Sequence, residues 1–433
     1  MSRSRNRKRS RHSSKQSQEL IFKPRGQLHP RVEAVGPEHF GLVAIDPAKG
    51  HSEWMLTSFY GRILIEPQDL PHDRGHFQAA VDAIRQAVES HQLRDMVVAV
   101  ERTGRYHEPV KRAMRDAGFE VRMVHPFATK RFREPASPGV KTDPVDLGAI
   151  FRATVSGFGI HEQPVDRTMR ELQFLARHRR DLVNKTSALR NQLQDHLELA
   201  MPGYAALFGD RLFESAVAFT LVKQIGSPAL IHELGAEQLD TFLRQQKIRF
   251  HRATLDRILA WAHTAAQPDE DADLDRRRIT SLHADFNAKT QEIQKTEQQL
   301  ARLLAQTPYI LMLSFPGINV VSASELAGEM GPIDHYPDSR AVTGRAGLFP
   351  YRHQTSHTDI HGGLVRCANR RLRYALTMIA DNLQRSNNYF RAKAGLWKLQ
   401  GHRGGAIRIR IAQRIARITY QLVAGRKVFN HPA

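Results

Sequence analysis

Gly41-Leu42-Val43-Ala44-Ile45-Asp46 and Met96-Val97-Val98-Ala99-Val100-Glu101 decide the fold. Each is a short apolar run rich in valine or isoleucine and closed by an acid, the pattern of a buried strand. In open α/β sheets, reacting groups collect at the carboxyl ends of strands. A third stretch, Lys141-Thr142-Asp143-Pro144-Val145-Asp146, opens a helix and places two carboxylates three residues apart on one face. Asp46, Glu101, Asp143 and Asp146, converging from two strand ends and one helix, would repel one another unless a cation sat between them. Hard divalent ions, Mg²⁺ or Mn²⁺, take oxygen ligands of this kind. Two such ions would clamp the attacking and leaving oxygens of a phosphodiester. Asp143 before Pro144 is equally an ordinary N-cap with proline at N1 and Asp146 at N3. The metal reading rests on all four acids falling in order within one strand–helix pattern.

Working outward, Trp54–Ser58 and Arg62–Ile65 around Tyr60-Gly61 read as a hairpin. Phe77, Ala80, Val81, Ile84 and Val88 recur at helical spacing. A helix near 107–117 ends by Gly118, and Val121-Arg122-Met123-Val124 makes a fifth strand closed by His125-Pro126. The order β-β-β-α-β-α-β-α, with acids after the first and fourth strands and on the last helix, is the RNase H/RuvC-like plan.

The 433 residues leave room for two or three domains. A net charge of +20 suggests a polyanionic partner, most simply nucleic acid. Cys367, the sole cysteine, excludes an internal disulfide framework and a cysteine-based zinc site, and fits a reducing compartment. The 22 histidines show no HExxH spacing, no apolar run approaches a membrane span, and the start of the chain lacks an apolar signal core. Residues 1–19, rich in arginine and serine, bury too little to order; the basic arm is expected to reach residue 37 and to touch phosphate or merely to solubilise.

Leu172, Leu175, Leu182, Leu189 and Leu193, and then Ile279, Leu282, Phe286, Ile293, Leu300 and Leu303, mark two long heptad-like helices, with Lys289 and Thr296 interrupting the second seam. They read as an antiparallel hairpin, a dimerising arm or internal bundle packing. Arg177, Arg179, Arg180, Lys185 and Arg190 on the first would face nucleic acid. Phe315-Pro316-Gly317-Ile318-Asn319 before a helical run resembles a helix-hairpin-helix element suited to a phosphate. Arg370, Arg371 and Arg373 open a basic helix, and 401–433 interleaves arginine with isoleucine as an amphipathic helix whose basic side would meet phosphate.

Ala44-Ile45-Asp46-Pro47-Ala48-Lys49, Val100-Glu101-Arg102-Thr103-Gly104-Arg105-Tyr106 and Lys141–Asp146 together resemble the three signatures of the DEDD insertion-sequence transposases. Gly347-Leu348-Phe349-Pro350 is similar to that family's Gly-Leu-x-Pro element. The resemblance implies an RNase H/RuvC-like α/β domain over 38–158, a helical, coiled-coil-like region over 159–308, a transposase domain over 309–400 and a basic tail over 401–433. It implies transposition of DNA by metal-dependent cleavage and strand exchange through a covalent serine–DNA intermediate. It further implies guidance by a structured RNA, a homo-oligomer (dimer or tetramer) whose active sites combine acids and serine from different protomers, and a bacterial cytoplasmic, nucleoid-associated setting. The family's serine follows the proline closely and commonly precedes glycine; here family spacing points to Thr355, while the primary hydroxyl of Ser356 is the less crowded nucleophile. Two rivals share these features: a Holliday-junction resolvase, which needs no nucleophilic hydroxyl, and a noncatalytic nucleic-acid scaffold.

Overall fold

The computed structural model describes residues 28–430 apart from 136–138, 267, 269 and 355–357. The chain divides into two compact units, Met1–Pro164 and Val165–Ala433. The basic stretch 1–19 lies outside the described residues.

The first unit runs α1 (His29–Val35), β1 (Phe40–Pro47), β2 (His51–Ser58), β3 (Ile63–Pro71), α2 (Arg74–Ser90), β4 (Asp95–Glu101), α3 (His107–Asp116), β5 (Val121–Val124), α4 (Pro126–Arg133), α5 (Asp143–Val155) and β6 (Ile160–His161). The strands form one mixed sheet in the order β3-β2-β1-β4-β5-β6. β1 pairs antiparallel with β2 and parallel with β4, and β4 pairs parallel with β5. This is the element order expected from sequence from β1 onward, with α4 inserted before the last helix and the two-residue antiparallel strand β6 added at the edge. Alternation along β1 divides its side chains between two cores. Val43 and Ile45 enter one with Ala80, Val81 and Ile84 of α2, whereas Leu42 and Ala44 enter the other with Leu147, Ile150 and Ala153 of α5. Asp73 caps α2 by accepting from the His76 amide at 3.0 Å.

The expected arm to residue 37 ends earlier. Leu28 and Val32 are buried with Phe40, and Arg31 pairs with Asp95 at 2.5 Å and with Glu120. Apolar anchors separated from the basic run by only a few residues place α1 in the fold.

The second unit contains α6 (Arg167–Ala200), α7 (Ala216–Gln224), α8 (Pro228–Gln245, kinked at Gly235), α9 (Arg252–Thr264), α10 (Ala272–Leu304), α11 (Val320–Met330), α12 (Ser339–Ala346), the hairpin β7 (Pro350–Gln354) and β8 (Asp359–Leu364), α13 (Arg370–Ser386), α14 (Asn388–Leu399) and α15 (Gly404–Ala424). Helices α6 and α10 are antiparallel: His178 meets Glu292 at 2.8 Å and His196 meets Asp275 at 2.7 Å. Their two ends enter different cores. Leu193, Leu197, Ile279, Leu282 and Phe286 pack with α7–α9. Met169, Leu172, Leu300 and Leu304 pack with α11–α15. The leucine seam is therefore used within this unit, and the expected boundaries at 308 and 400 fall inside one packed body. Ile407, Ile411 and Ile415 of the C-terminal helix are part of its core.

Candidate active site

Backbone register sets four acids side by side at one end of the first unit's sheet. Asp46 of β1 pairs with Glu53 of β2, and Glu53 pairs with Asp69 of β3. On the other side of β1, Ile45 pairs with Val100, so Asp46 and Glu101 stand next to each other on adjacent parallel strands. Directly paired residues project to the same face. That face carries α5, because Ala44 and Ala99 beside these acids pack with Leu147 and Ile150.

Helix α5 begins one residue earlier than its capping pattern indicates. Thr142 occupies the N-cap in extended conformation without a side-chain capping bond, so Asp143 is the first helical residue. Asp143 is therefore not the expected N-cap acceptor, and Asp146 falls one position beyond the expected N3. Asp146 is buried and accepts a 2.6 Å hydrogen bond from the Arg133 guanidinium at the end of α4. Asp143 is exposed and lies near Glu53, whose carboxyl its charge raises.

The electrostatics follow from this crowding. Burial, then the charges of Asp146 and Asp143, push the Asp46 carboxyl up to about 6, with Lys141 and Arg133 opposing. Burial, then Asp46 and Asp146, push Glu101 up to about 7. Burial and Asp143 also raise Glu53. The donor set is all oxygen, partly buried and mutually repelling, which is the chemistry a hard dication relieves. Among the described residues, no three histidine, cysteine or carboxylate side chains already stand in metal-holding geometry. Glu53 was missed by sequence reasoning. The period-two pairing of β2 with β1 was the available signal, but register is fixed by the turn between them.

In the second unit, Thr355 and Ser356 lie outside the described residues, between β7 and β8. The flanking strands carry a bidentate pair, Arg352 with Asp359, at 2.9 and 2.7 Å. The Gly-Leu-x-Pro element has a packing reason. Gly347 ends α12 at φ +62°, and a Cβ there would lie 2.5 Å from both Ala368 Cβ and Arg373 Nη2. Arg373 donates to the Ala346 carbonyl at 2.9 Å and to the Val365 carbonyl, so it braces the hairpin. It is thus not the exposed phosphate ligand that its place in a basic run suggests, whereas Arg370 and Arg371 are exposed.

Three of the arginines expected to face nucleic acid are paired internally instead. Arg177 binds Glu329 at 2.7 Å, Arg180 binds Glu325 at 2.6 Å, and Arg179 binds Glu297 at 2.7 Å. Arg190 lies over the rings of Phe213 and Phe286. Periodicity could not reveal this, because the glutamates on α11 approach α6 only in the folded unit. At the Pro316-Gly317 turn, Asn382 donates to the Gly317 carbonyl at 2.8 Å, and Asn319 with Ser322 forms a capping box at the start of α11. The turn leads from a 3₁₀ segment, Pro308–Ser314, into α11.

A transposase family model matches residues 43–202, the DEDD transposase of IS110, and a second, for transposases of the IS116/IS110/IS902 family, matches residues 310–394. The chain belongs to the IS110-type DEDD transposase family. An IS110 protein of 43.6 kDa from Streptomyces coelicolor is 27% identical over 271 residues, covering 61% of this chain and 66% of that one. An IS116 protein of 44.8 kDa from Streptomyces clavuligerus is 23% identical over 365 residues, covering 82% of this chain and 88% of that one. The transposase of IS1328 from Yersinia enterocolitica is 25% identical over 158 residues, covering 36% of this chain and 47% of that one. Thermus thermophilus RuvC in complex with a Holliday junction aligns over 28% of the transposase and all of RuvC at 16% identity, but a TM-score of 0.20 gives that likeness no weight. Both family models fall on the segments that carry the acids and the Gly-Leu-x-Pro element. No helix among the described residues is long and apolar enough to cross a membrane.

Proposed function

We propose that this family member is a metal-dependent DNA recombinase that cleaves and rejoins element ends through a hydroxyl nucleophile. The observation that carries the reading is the convergence of Asp46, Glu101 and Asp146 from two adjacent strand ends and one helix. Asp46, Glu101, Asp143 and Asp146 would hold Mg²⁺ or Mn²⁺, with Glu53, paired in register with Asp46, adding a further carboxylate beside them. When bound, the ions would neutralise charge on the scissile phosphate and favour an in-line displacement. Arg133 and Lys141 temper the repulsion among the acids and keep the cluster ionisable near neutral pH.

Ser356 is the proposed nucleophile, with Thr355 as the alternative. Its oxygen bonds to phosphorus while the bridging P–O bond to the leaving strand breaks. The hydroxyl proton passes to a base, and the leaving oxygen takes up a proton. The reading extends to a homo-oligomer, which rests on the family resemblance alone, and to a structured guide RNA, which the resemblance and the basic charge favour. The decisive experiment traps the reaction on a nicked DNA substrate and locates a nucleotide-modified peptide by mass spectrometry. An adduct on Ser356 supports the assignment, and one on Thr355 reverses it. Mg²⁺-dependent cleavage without any adduct would replace it with the resolvase reading.

A further inference from the structure

Helices α7 and α10 border a cleft of about 320 Å³, in a part of the second unit to which the proposed reaction assigns no group. Lys223 of α7 and His283 of α10 line it, together with Ser215, Thr220 and Asn287. Lys223 is half-buried, and its Nζ lies 2.8 Å from Nδ1 of His283. The Asn287 amide nitrogen stands 3.4 Å from the same Nδ1. Two donors converging on one ring nitrogen leave it unprotonated, so the imidazole is neutral and carries its proton on Nε2. The ring lies flat on Phe219, with centroids 3.8 Å apart and planes 13° apart, which fixes where Nδ1 points.

No acid holds the Lys223 ammonium. Lys111, by contrast, sits between Glu108 and Glu162 at 2.8 and 3.0 Å. Glu214, which also lines the cleft, is exposed and forms no salt bridge with Lys223 among the described residues. Burial lowers the Lys223 amine from its ordinary value, and burial with the Lys223 charge pulls His283 down to about 4. A lysine desolvated without a counter-carboxylate gives up its proton more readily, and the free amine is a nucleophile.

We infer that Lys223 is a modification site, acylated at Nζ by a small acyl phosphate that enters this cleft. The hydroxyls of Ser215 and Thr220 and the amide of Asn287 suit a compact, polar carbonyl donor. The neutral amine keeps one N–H on His283 Nδ1 and attacks the carbonyl carbon with its lone pair. The N–C bond forms, and the C–O bond to phosphate breaks with its electron pair. Phosphate departs, and the surplus proton on nitrogen passes to solvent. The product is a neutral amide, which removes one positive charge from a chain of net charge +20. This inference stands apart from the recombinase reading and needs none of its groups.

The test incubates the full-length protein with acetyl phosphate across a range of pH, native and in urea. Mass spectrometry of the digested protein then gives the acetylation rate at each lysine. Lys247 and Lys427, both exposed, serve as internal references. Near neutral pH, native Lys223 should react about threefold or more faster than either reference. The ratio should fall to about one in urea, where burial is lost. The native Lys223 rate should also level off at lower pH than the reference rates. A native ratio of one or less, or coincident pH profiles, would overturn the inference. A ratio that persists in urea would overturn it too, because local sequence and not the cleft would then be its source. Preferential labelling by acetic anhydride but not by acetyl phosphate would overturn the choice of donor.

Discussion

Replacing Asp46 with asparagine should stabilise the metal-free first unit at pH 8 and leave it almost unchanged near pH 4. The Asp46 carboxyl is raised from 3.8 to about 6, chiefly by burial and by Asp146. Below the unfolded value both states hold the proton and nothing is lost. Between that value and about 6 the native state binds more protons than the unfolded one, so stability falls as pH rises. Above about 6 the loss is complete. At 1.36 kcal/mol per pH unit the rise corresponds to roughly 3 kcal/mol. Asp46 is only partly buried, so solvent screening reduces the expected gain to about 1–2 kcal/mol. The neutral amide also relieves Glu101, whose carboxyl stands at about 7 partly because of Asp46. Millimolar Mg²⁺ should reverse the order, since the wild type would then gain by ligating the ion. The assay follows Trp54, 2% exposed in the core of this unit, by fluorine resonance of 5-fluorotryptophan protein during urea titration in EDTA. Trp54→Phe assigns the signal among three tryptophans. Equal urea midpoints for wild type and variant at pH 8, or the same difference at both pH values, would refute the electrostatic argument.

Arg133→Gln leaves the buried Asp146 without its charged partner and should destabilise the first unit by about 2 kcal/mol in EDTA, partly restored by Mg²⁺; the same fluorine signal reads it. Glu53→Gln should weaken Mn²⁺ binding several-fold in isothermal titration without unfolding the sheet, and unchanged affinity would remove Glu53 from the site. Gly328→Ala places a Cβ 2.8 Å from the Gln173 Cα, so the packing of α11 on α6 must shift; a loss of about 2 kcal/mol in urea unfolding is expected, and a neutral result would refute the close approach. Ser356→Ala should bind DNA normally and lose the covalent adduct, whereas Thr355→Ala should retain it, as read by adduct mobility in denaturing gels.

The N-terminal sheet was legible from sequence because each strand carries its own evidence. The β1 and β4 runs are apolar enough to be buried on both faces, and an acid closes each of them. The amphipathic stripe of α2 and the paired leucine seams of α6 and α10 are also local in origin, since period and composition alone produce them. What required tertiary structure was partnership between distant positions. Glu53 joins the acids only through strand register, and Arg133 reaches Asp146 only because α4 and α5 pack on one sheet face. The arginines of α6 look like a nucleic-acid surface until Glu325 and Glu329 arrive from about 150 residues away and neutralise them. A charge in sequence specifies a need for a counter-charge or water; which one meets it is decided by long-range packing. The sequence determined the reactive groups and their order along the chain, and the fold determined which of them act on solvent and which on one another.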